Sequence, residues 1–286
     1  MKFLLNDFLV RKYVEEALRE DIGYGDISTD YVCARLNGDE VFEVNLRTRE
    51  KGIFCGKDVF KIVFDVLSNK ETKIEFLKED GDEIEKDEIL AKIKGYPKYI
   101  LTGERVALNF IQRMSGIATY TKKFADILKP YGIAISDTRK NTPNFRIFEK
   151  YSAAIGGARL HRFNLCDCVM LKDNHIALLG GNIKDAVKKV KEFNSHTHKI
   201  EVECDTFKQV QDALDADVDI IMLDNMDLNE IEKCVHFINK RAIVEVSGNV
   251  KLETLTRLAQ TGVDVISSSA IITKAPVLDL GFDYIN

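Results

Sequence analysis

Five basic side chains, Arg139, Lys140, His161, Arg162 and Lys172, are concentrated in one stretch of a 286-residue chain whose formal net charge is -5. Guanidinium groups grip carboxylates through two parallel N–H···O bonds, and a lysine ammonium adds a point charge. The set therefore suits a small planar dicarboxylate together with a phosphate better than a neutral ligand. Three carboxylates accompany it. Glu201 and Glu203 lie two apart in an apolar run, so both point to one face of a strand, and Asp224 closes the run at 220–223. Carboxylates beside an anionic substrate are costly to bury unless they face a developing cation, a magnesium ion or ribose hydroxyls. A solvated charged face is the competing reading of any such cluster, and placement at strand ends weighs against it.

Hydrophobic periodicity indicates the elements that position these residues. Apolar, β-prone runs occur at 133–135, 169–171, 200–202, 220–223, 243–246 and 263–266. Each is followed by polar residues: Asp137-Thr138-Arg139-Lys140, Lys172-Asp173-Asn174-His175, Glu203, Asp224-Asn225, Ser247-Gly248-Asn249 and Ser267-Ser268-Ser269. Taken singly, such an end is a helix cap or a solvated turn. Six on one rim point to a site. Helical patterns separate the later runs, notably 227–239, where Asp227 and Glu230 form a capping box, and 252–260, which Gly262 ends. Alternating strands and helices specify a parallel sheet covered by helices. Six strands fall short of the eight of a complete barrel, which leaves an incomplete barrel and a doubly wound open sheet as alternatives. Both bind ligands at the C-terminal ends of their strands.

The first part of the chain has a different texture. Apolar residues recur with helical period over 6–20, and 40–95 reads as short strands around one helix at 57–67. The stretch 78–95 is hairpin-like, and its GDEIEKDEIL segment is similar to half of a biotinyl or lipoyl carrier fold. A carrier needs a modified lysine at a tip between two such halves. One half is visible, so a structural hairpin is the expectation. A long helical pattern follows over 102–128, with Thr102 as N-cap and a break at Ser115-Gly116. Division near residue 115 gives an N-terminal mixed α/β domain, 1–115, and a catalytic α/β domain, 116–272.

Composition excludes several classes. Hydrophobic residues make up 45% and charged residues 30%, and no apolar window is long enough to span a bilayer. Asn6, Asp7 and Arg11 interrupt the N-terminal apolar stretch, so a signal peptide is not expected and a cytoplasmic protein is. A pI near 5.7 argues against nucleic-acid binding. The six cysteines are scattered, with Cys166 and Cys168 spaced C-x-C, and free buried thiols are expected rather than a disulfide framework or a metal site.

The segment DTRKNTPNFRIFEKYSAAIGGARLHRFNLCDCVMLKDNHI, residues 137–176, resembles the central signature of the quinolinate phosphoribosyltransferases. EDIGYGDIST, GERVALNFIQRMSGIAT, the EVE and MLDNM strands, VSGN and TGVDVISSSA follow in family order, so the resemblance covers nearly the whole chain. It implies an N-terminal α/β domain, a C-terminal incomplete parallel α/β barrel, and a segment 273–286 that returns to the first domain. It implies that phosphoribosyl passes from phosphoribosyl pyrophosphate to quinolinate with loss of carbon dioxide, giving nicotinate mononucleotide for de novo NAD biosynthesis. Arg139, His161, Arg162 and Lys172 would line the quinolinate pocket, with Thr138 and Lys140 close by and Arg105 supplied by a neighbouring subunit of a homodimer or higher homo-oligomer. Glu203 and Asp224 would lie beside the donor, Glu203 preferred over Glu201 by its spacing to the MLDN aspartate. Lys140, Lys172, Glu203 and Asp224 would be catalytic. Ser247, Gly248, Asn249, Ser268, Ser269 and Ala270 would hold phosphate. Mg2+ would arrive mainly on the donor's pyrophosphate, with no metal ligand assigned to the protein. The family commonly has glycine where this chain has Asn249 and Ser269, and often histidine near Thr273. A related group of barrel proteins with the same architecture and a different acceptor is the nearest alternative, against which the intact DTRK and KDNH motifs weigh.

Overall fold

Asn6 caps the first helix, α1 (Asp7–Ile22), by accepting a hydrogen bond from the Phe8 N–H at 2.9 Å. The computed structural model describes residues 5–36 and 40–285, and the chain divides into two units. The first takes in the chain to Thr121, Thr142–Gly156 and the chain from Ala275; the second comprises Lys122–Asn141 and Gly157–Lys274.

In the first unit α1 is followed by α2 (Ile27–Cys33), β1 (Phe42–Thr48), β2 (Gly52–Ile53), α3 (Lys57–Leu67), β3 (Lys73–Phe76), β4 (Glu83–Ile84), β5 (Ile89–Gly95) and α4 (Pro97–Leu128). Helix α5 (Arg146–Ile155) and the strand β12 (Leu280–Tyr284) also belong to it. The strands form an antiparallel sheet of order β12-β1-β5-β3. Its core includes Phe60 and Phe64 of α3, whose rings lie 6.0 and 6.3 Å from that of Phe282 on β12.

Three local expectations are corrected. The hairpin expected over 78–95 does not form, because β4 pairs with β2 while β5 pairs with β1 and β3. Strand β4 is only two residues long, so its partner is set by tertiary packing and not by a local turn. Thr102 is not an N-cap. The helix begins at Pro97, whose fixed φ and missing N–H suit the first helical position, and Thr102 Oγ1 lies inside it, donating to Asp26 Oδ2 at 2.9 Å. Nor is there a break at Ser115-Gly116, since α4 is continuous over 32 residues. A Cβ on Gly116 would lie 1.9 Å from the Pro276 carbonyl oxygen, so the glycine permits close backbone approach and not a kink.

The second unit contains β6 (Ala134–Ser136), β7 (Val169–Leu171), α6 (Asp173–Leu178), α7 (Ile183–Lys191), β8 (Ile200–Cys204), α8 (Phe207–Asp215), β9 (Ile220–Asp224), α9 (Leu228–Ile238), β10 (Ile243–Ser247), α10 (Leu255–Gln260), β11 (Val265–Ser267) and α11 (Ala270–Thr273). The six strands are parallel in the order β6-β11-β10-β9-β8-β7. Strands β7 to β11 are neighbours in chain order and β11 returns to β6. This is barrel order, without the reversal of a doubly wound sheet, and among the described residues it stays open between β6 and β7. Asp227 caps α9 by accepting the Glu230 N–H at 3.0 Å. Cys33, Cys55, Cys204 and Cys234 are buried, but Cys166 is exposed and Cys168 half-buried, because their loop precedes β7 at the surface. Among the described residues no helix is long and apolar enough to cross a membrane.

Candidate active site

The loops that follow the parallel strands converge on a cavity of about 330 Å³, within the size range of small-molecule sites. Thr138, Arg139, Lys140, His161, Arg162, Met170, Lys172, Glu203, Met222, Asp224, Ser247 and Ser267 line it. After β6 the chain turns as Thr138 Oγ1 accepts the Lys140 N–H at 3.1 Å. Arg162 is anchored by donation from Nη1 to the Cys168 carbonyl at 3.0 Å, with Nη2 3.4 Å from the Met170 sulfur. Lys172, at the end of β7, forms an ion pair with Glu203 on the neighbouring strand β8. Arg139, Lys140, Arg162 and a lysine–carboxylate pair thus share one concave surface, a combination suited to an anion that carries both carboxylate and phosphate groups.

Asp224 closes β9 on the same rim. Burial pushes its carboxyl above the usual range, and the charges of Glu203 and Asp205 push the same way, against Lys172 and Lys140. An electropositive substrate centre or a substrate-borne cation would relieve that crowding. The Asn225 side-chain amide donates to Asp224 Oδ2 at 2.8 Å, and Asn249 Nδ2 donates to Asn225 Oδ1 at 3.2 Å. Asn249 has φ 48°, the left-handed conformation that asparagine tolerates, and a Cβ on Gly248 would fall 2.3 Å from Asn225 Oδ1. The loop after β10 is thereby tied to the acidic end of β9.

Beneath the cavity lies a buried polar layer. His161 Nε2 stands 3.3 Å from Glu201 Oε2 and 3.5 Å from Glu245 Oε1. Asp137, at the end of β6, accepts the His161 backbone N–H at 2.8 Å, and His161 Nδ1 accepts the Arg162 N–H at 2.7 Å. Glu245 is pushed up to about 7, first by burial and then by the charge of Glu201.

Of the candidate residues, Thr138, Arg139, Lys140, His161, Arg162, Lys172, Glu203, Asp224 and Ser247 line one cavity. Gly248 and Asn249 continue the β10 loop beside it, and Ser268, Ser269 and Ala270 follow β11, with the Ser268 N–H donating to the Ser136 carbonyl at 3.0 Å. Thr273 Oγ1 donates to the Ser269 carbonyl at 3.0 Å. Arg105 is exposed on α4 in the first unit. Glu245 was absent from the sequence-derived set, although an acid inside the apolar run at 243–246 was its signal. A larger cavity of about 520 Å³ in the first unit is lined by Glu16, Glu20 and Asp21 among aromatic and polar side chains. Lacking any cation, it fits an anionic substrate poorly.

Residues 26–115 match the family model for the quinolinate phosphoribosyl transferase N-terminal domain, and 117–283 that for its C-terminal domain. The chain is 38% identical over 280 residues to a probable nicotinate-nucleotide pyrophosphorylase (carboxylating) of Synechocystis, with 97% of this chain and 93% of that protein covered. It is 37% identical to the protein of the same description in Bacillus subtilis, covering 98% and 94%. Among solved structures, NadC from Streptococcus pyogenes superposes with a TM-score of 0.92 at 36% identity, over 99% of both chains.

Proposed function

The chain belongs to the quinolinate phosphoribosyltransferase family, and from that premise we propose that it transfers phosphoribosyl from phosphoribosyl pyrophosphate to the nitrogen of quinolinate, with decarboxylation to nicotinate mononucleotide. The observation that carries the reading is the single cavity that gathers Arg139, Lys140, Arg162 and Lys172 against Glu203 and Asp224. The guanidinium groups hold the two carboxylates of the acceptor and orient its ring nitrogen. Magnesium carried on the donor would supply charge neutralisation at the leaving group, and no side chain of this protein is assigned to hold it. As the C1–oxygen bond breaks, positive charge grows on the ribose, and Glu203 and Asp224 stabilise it from the rim. The ring nitrogen bonds to C1 and becomes positive. That charge holds the electron pair left on the adjacent ring carbon when carbon dioxide departs, and a proton then replaces the lost carboxylate.

This reading includes phosphate contacts from Ser247, Gly248, Asn249, Ser268, Ser269 and Ala270. It includes a cytoplasmic homodimer or higher homo-oligomer in which Arg105 of one chain completes the acceptor pocket of another. The direct test is loss of quinolinate ultraviolet absorbance on addition of donor and magnesium, with nicotinate mononucleotide, pyrophosphate and carbon dioxide released in equal amounts. Absence of turnover by folded protein, or turnover of a different acceptor, overturns it.

A further inference from the structure

The buried layer under the cavity performs no step of that reaction, yet it touches the loop that carries Arg162. Glu201 is fully buried and Glu245 is 5% exposed. Among the described residues, Glu201 Oε1, Glu201 Oε2 and Glu245 Oε1 have no hydrogen-bond partner, although His161 Nε2 lies 3.3 Å from Glu201 Oε2 and 3.5 Å from Glu245 Oε1. On its other side the imidazole accepts the Arg162 N–H through Nδ1. A nitrogen that accepts carries no proton, so the ring's single N–H is on Nε2 and His161 is neutral. The same count argues against a metal ion on Nε2, because lone pairs on both nitrogens would require an imidazolate.

Two carboxylates that meet at one N–H in a dry interior cannot both ionise without large cost. We propose that Glu201 and Glu245 hold one proton between them and, through His161, act as positioning residues for Arg162, so that the grip on the aromatic dicarboxylate depends on this buried proton. Glu245 is the member pushed up, and Asp137, Glu201, His161 and the Ser267 hydroxyl are the groups that face it from β6, β8, the loop before β7 and β11. Burial, and then the charge of Glu201, push the Cys168 thiol up. With the proton in place, the His161-Arg162 backbone is held through Asp137 Oδ1 and through the imidazole Nδ1, and the guanidinium rests on the Cys168 carbonyl. When it leaves, two like charges share one N–H, the ring is displaced from the Arg162 amide, and the guanidinium loses its register with the substrate.

The proposal rests on the quinolinate reading for its kinetic arm and on the free protein for its spectroscopic arm. In protein labelled with 15N-histidine, the resonances removed by His161→Gln should show a bare Nδ1 and a protonated Nε2 up to about pH 7. In steady-state kinetics the wild-type KM for quinolinate should rise about tenfold from about pH 6.5 to about pH 8.5, while that for the donor changes little. Glu245→Gln keeps a neutral partner and should abolish the rise, whereas Glu245→Ala should raise the quinolinate KM about tenfold throughout. An imidazolium pattern at about pH 6.5, or an alkaline rise unchanged in Glu245→Gln, overturns the proposal. A folded chain that does not turn over quinolinate refutes the functional reading instead, and the histidine spectra of the wild type and Glu245→Gln still decide whether the buried proton is there.

Discussion

Lys172 and Glu203 form their ion pair one residue beyond Leu171 and Val202, which face each other across β7 and β8. Strand register therefore sets the pair, and the half-exposed lysine end keeps its contribution to stability within about 1 kcal/mol. Lys172→Met is expected to shift the unfolding midpoint little but to lower kcat/KM by roughly a hundredfold or more, the scale of losing a charge aimed at the reacting centre. Rates near wild type in the folded variant would remove Lys172 from the reaction.

Arg139→Lys and Arg162→Lys should each raise the KM for quinolinate far more than that for the donor. A lysine cannot reproduce a bidentate grip, and the loss should be roughly 1.5–3 kcal/mol, or about ten- to a hundredfold. Isothermal titration of both ligands separates the two effects, and equal losses would contradict the assignment of these arginines to the acceptor.

Glu245 gives stability a pH dependence of definite sign. Its folded carboxyl titrates at about 7, above the ordinary value of 4.5, so between those values the folded state binds more protons than the unfolded one. The protein should lose stability as pH rises through that window, by at most about 3 kcal/mol from this group. Urea unfolding at acid, neutral and alkaline pH should show Glu245→Gln gaining on the wild type as pH rises. Parallel stability curves would mean that Glu245 is not held protonated.

A shared site predicts complementation. Arg105→Ala and Lys172→Ala, each inactive alone, should recover activity when mixed under conditions of subunit exchange, because some mixed oligomers carry one site with both residues intact. Recovery is measured against each variant alone. If exchange is verified and activity does not return, Arg105 acts in its own chain or has no part in the site.

The parallel strands were legible because both of their faces are buried, so each reads as a continuous apolar run whose polar end marks the rim. Positions 169–171 and 220–223 fall on β7 and β9, and the last run, placed at 263–266, comes slightly early against β11. Arg139, Lys140 and Lys172 could be found for the same reason, because they stand at those ends, whereas His161 and Arg162 lie in the loop before β7. Glu245 escaped because the run around it was read for its hydrophobicity, and an acid inside such a run pointed inward to a partner, His161, far away in sequence. The start of α4 was placed at Thr102 because a threonine before a periodic stretch resembles a cap, although Pro97 supplied the stronger stop and start signal. The pairing of β4 with β2 had no local signature, since two residues bring no turn geometry with them.

The sheet of the first unit takes β12 as an edge strand, paired to β1 from Val44↔Tyr284 to Thr48↔Leu280. During synthesis on the ribosome, β1 must therefore wait with one side of its backbone unpaired until more than two hundred later residues have emerged. The barrel strands β6 to β11 are all made in that interval and need no partner from outside their own unit to complete their sheet. Vectorial assembly is thus inverted in this chain: the part translated first closes last. A nascent or proteolysed chain lacking 280–284 would leave an open strand edge, the feature by which quality-control factors and aggregation recognise unfinished proteins.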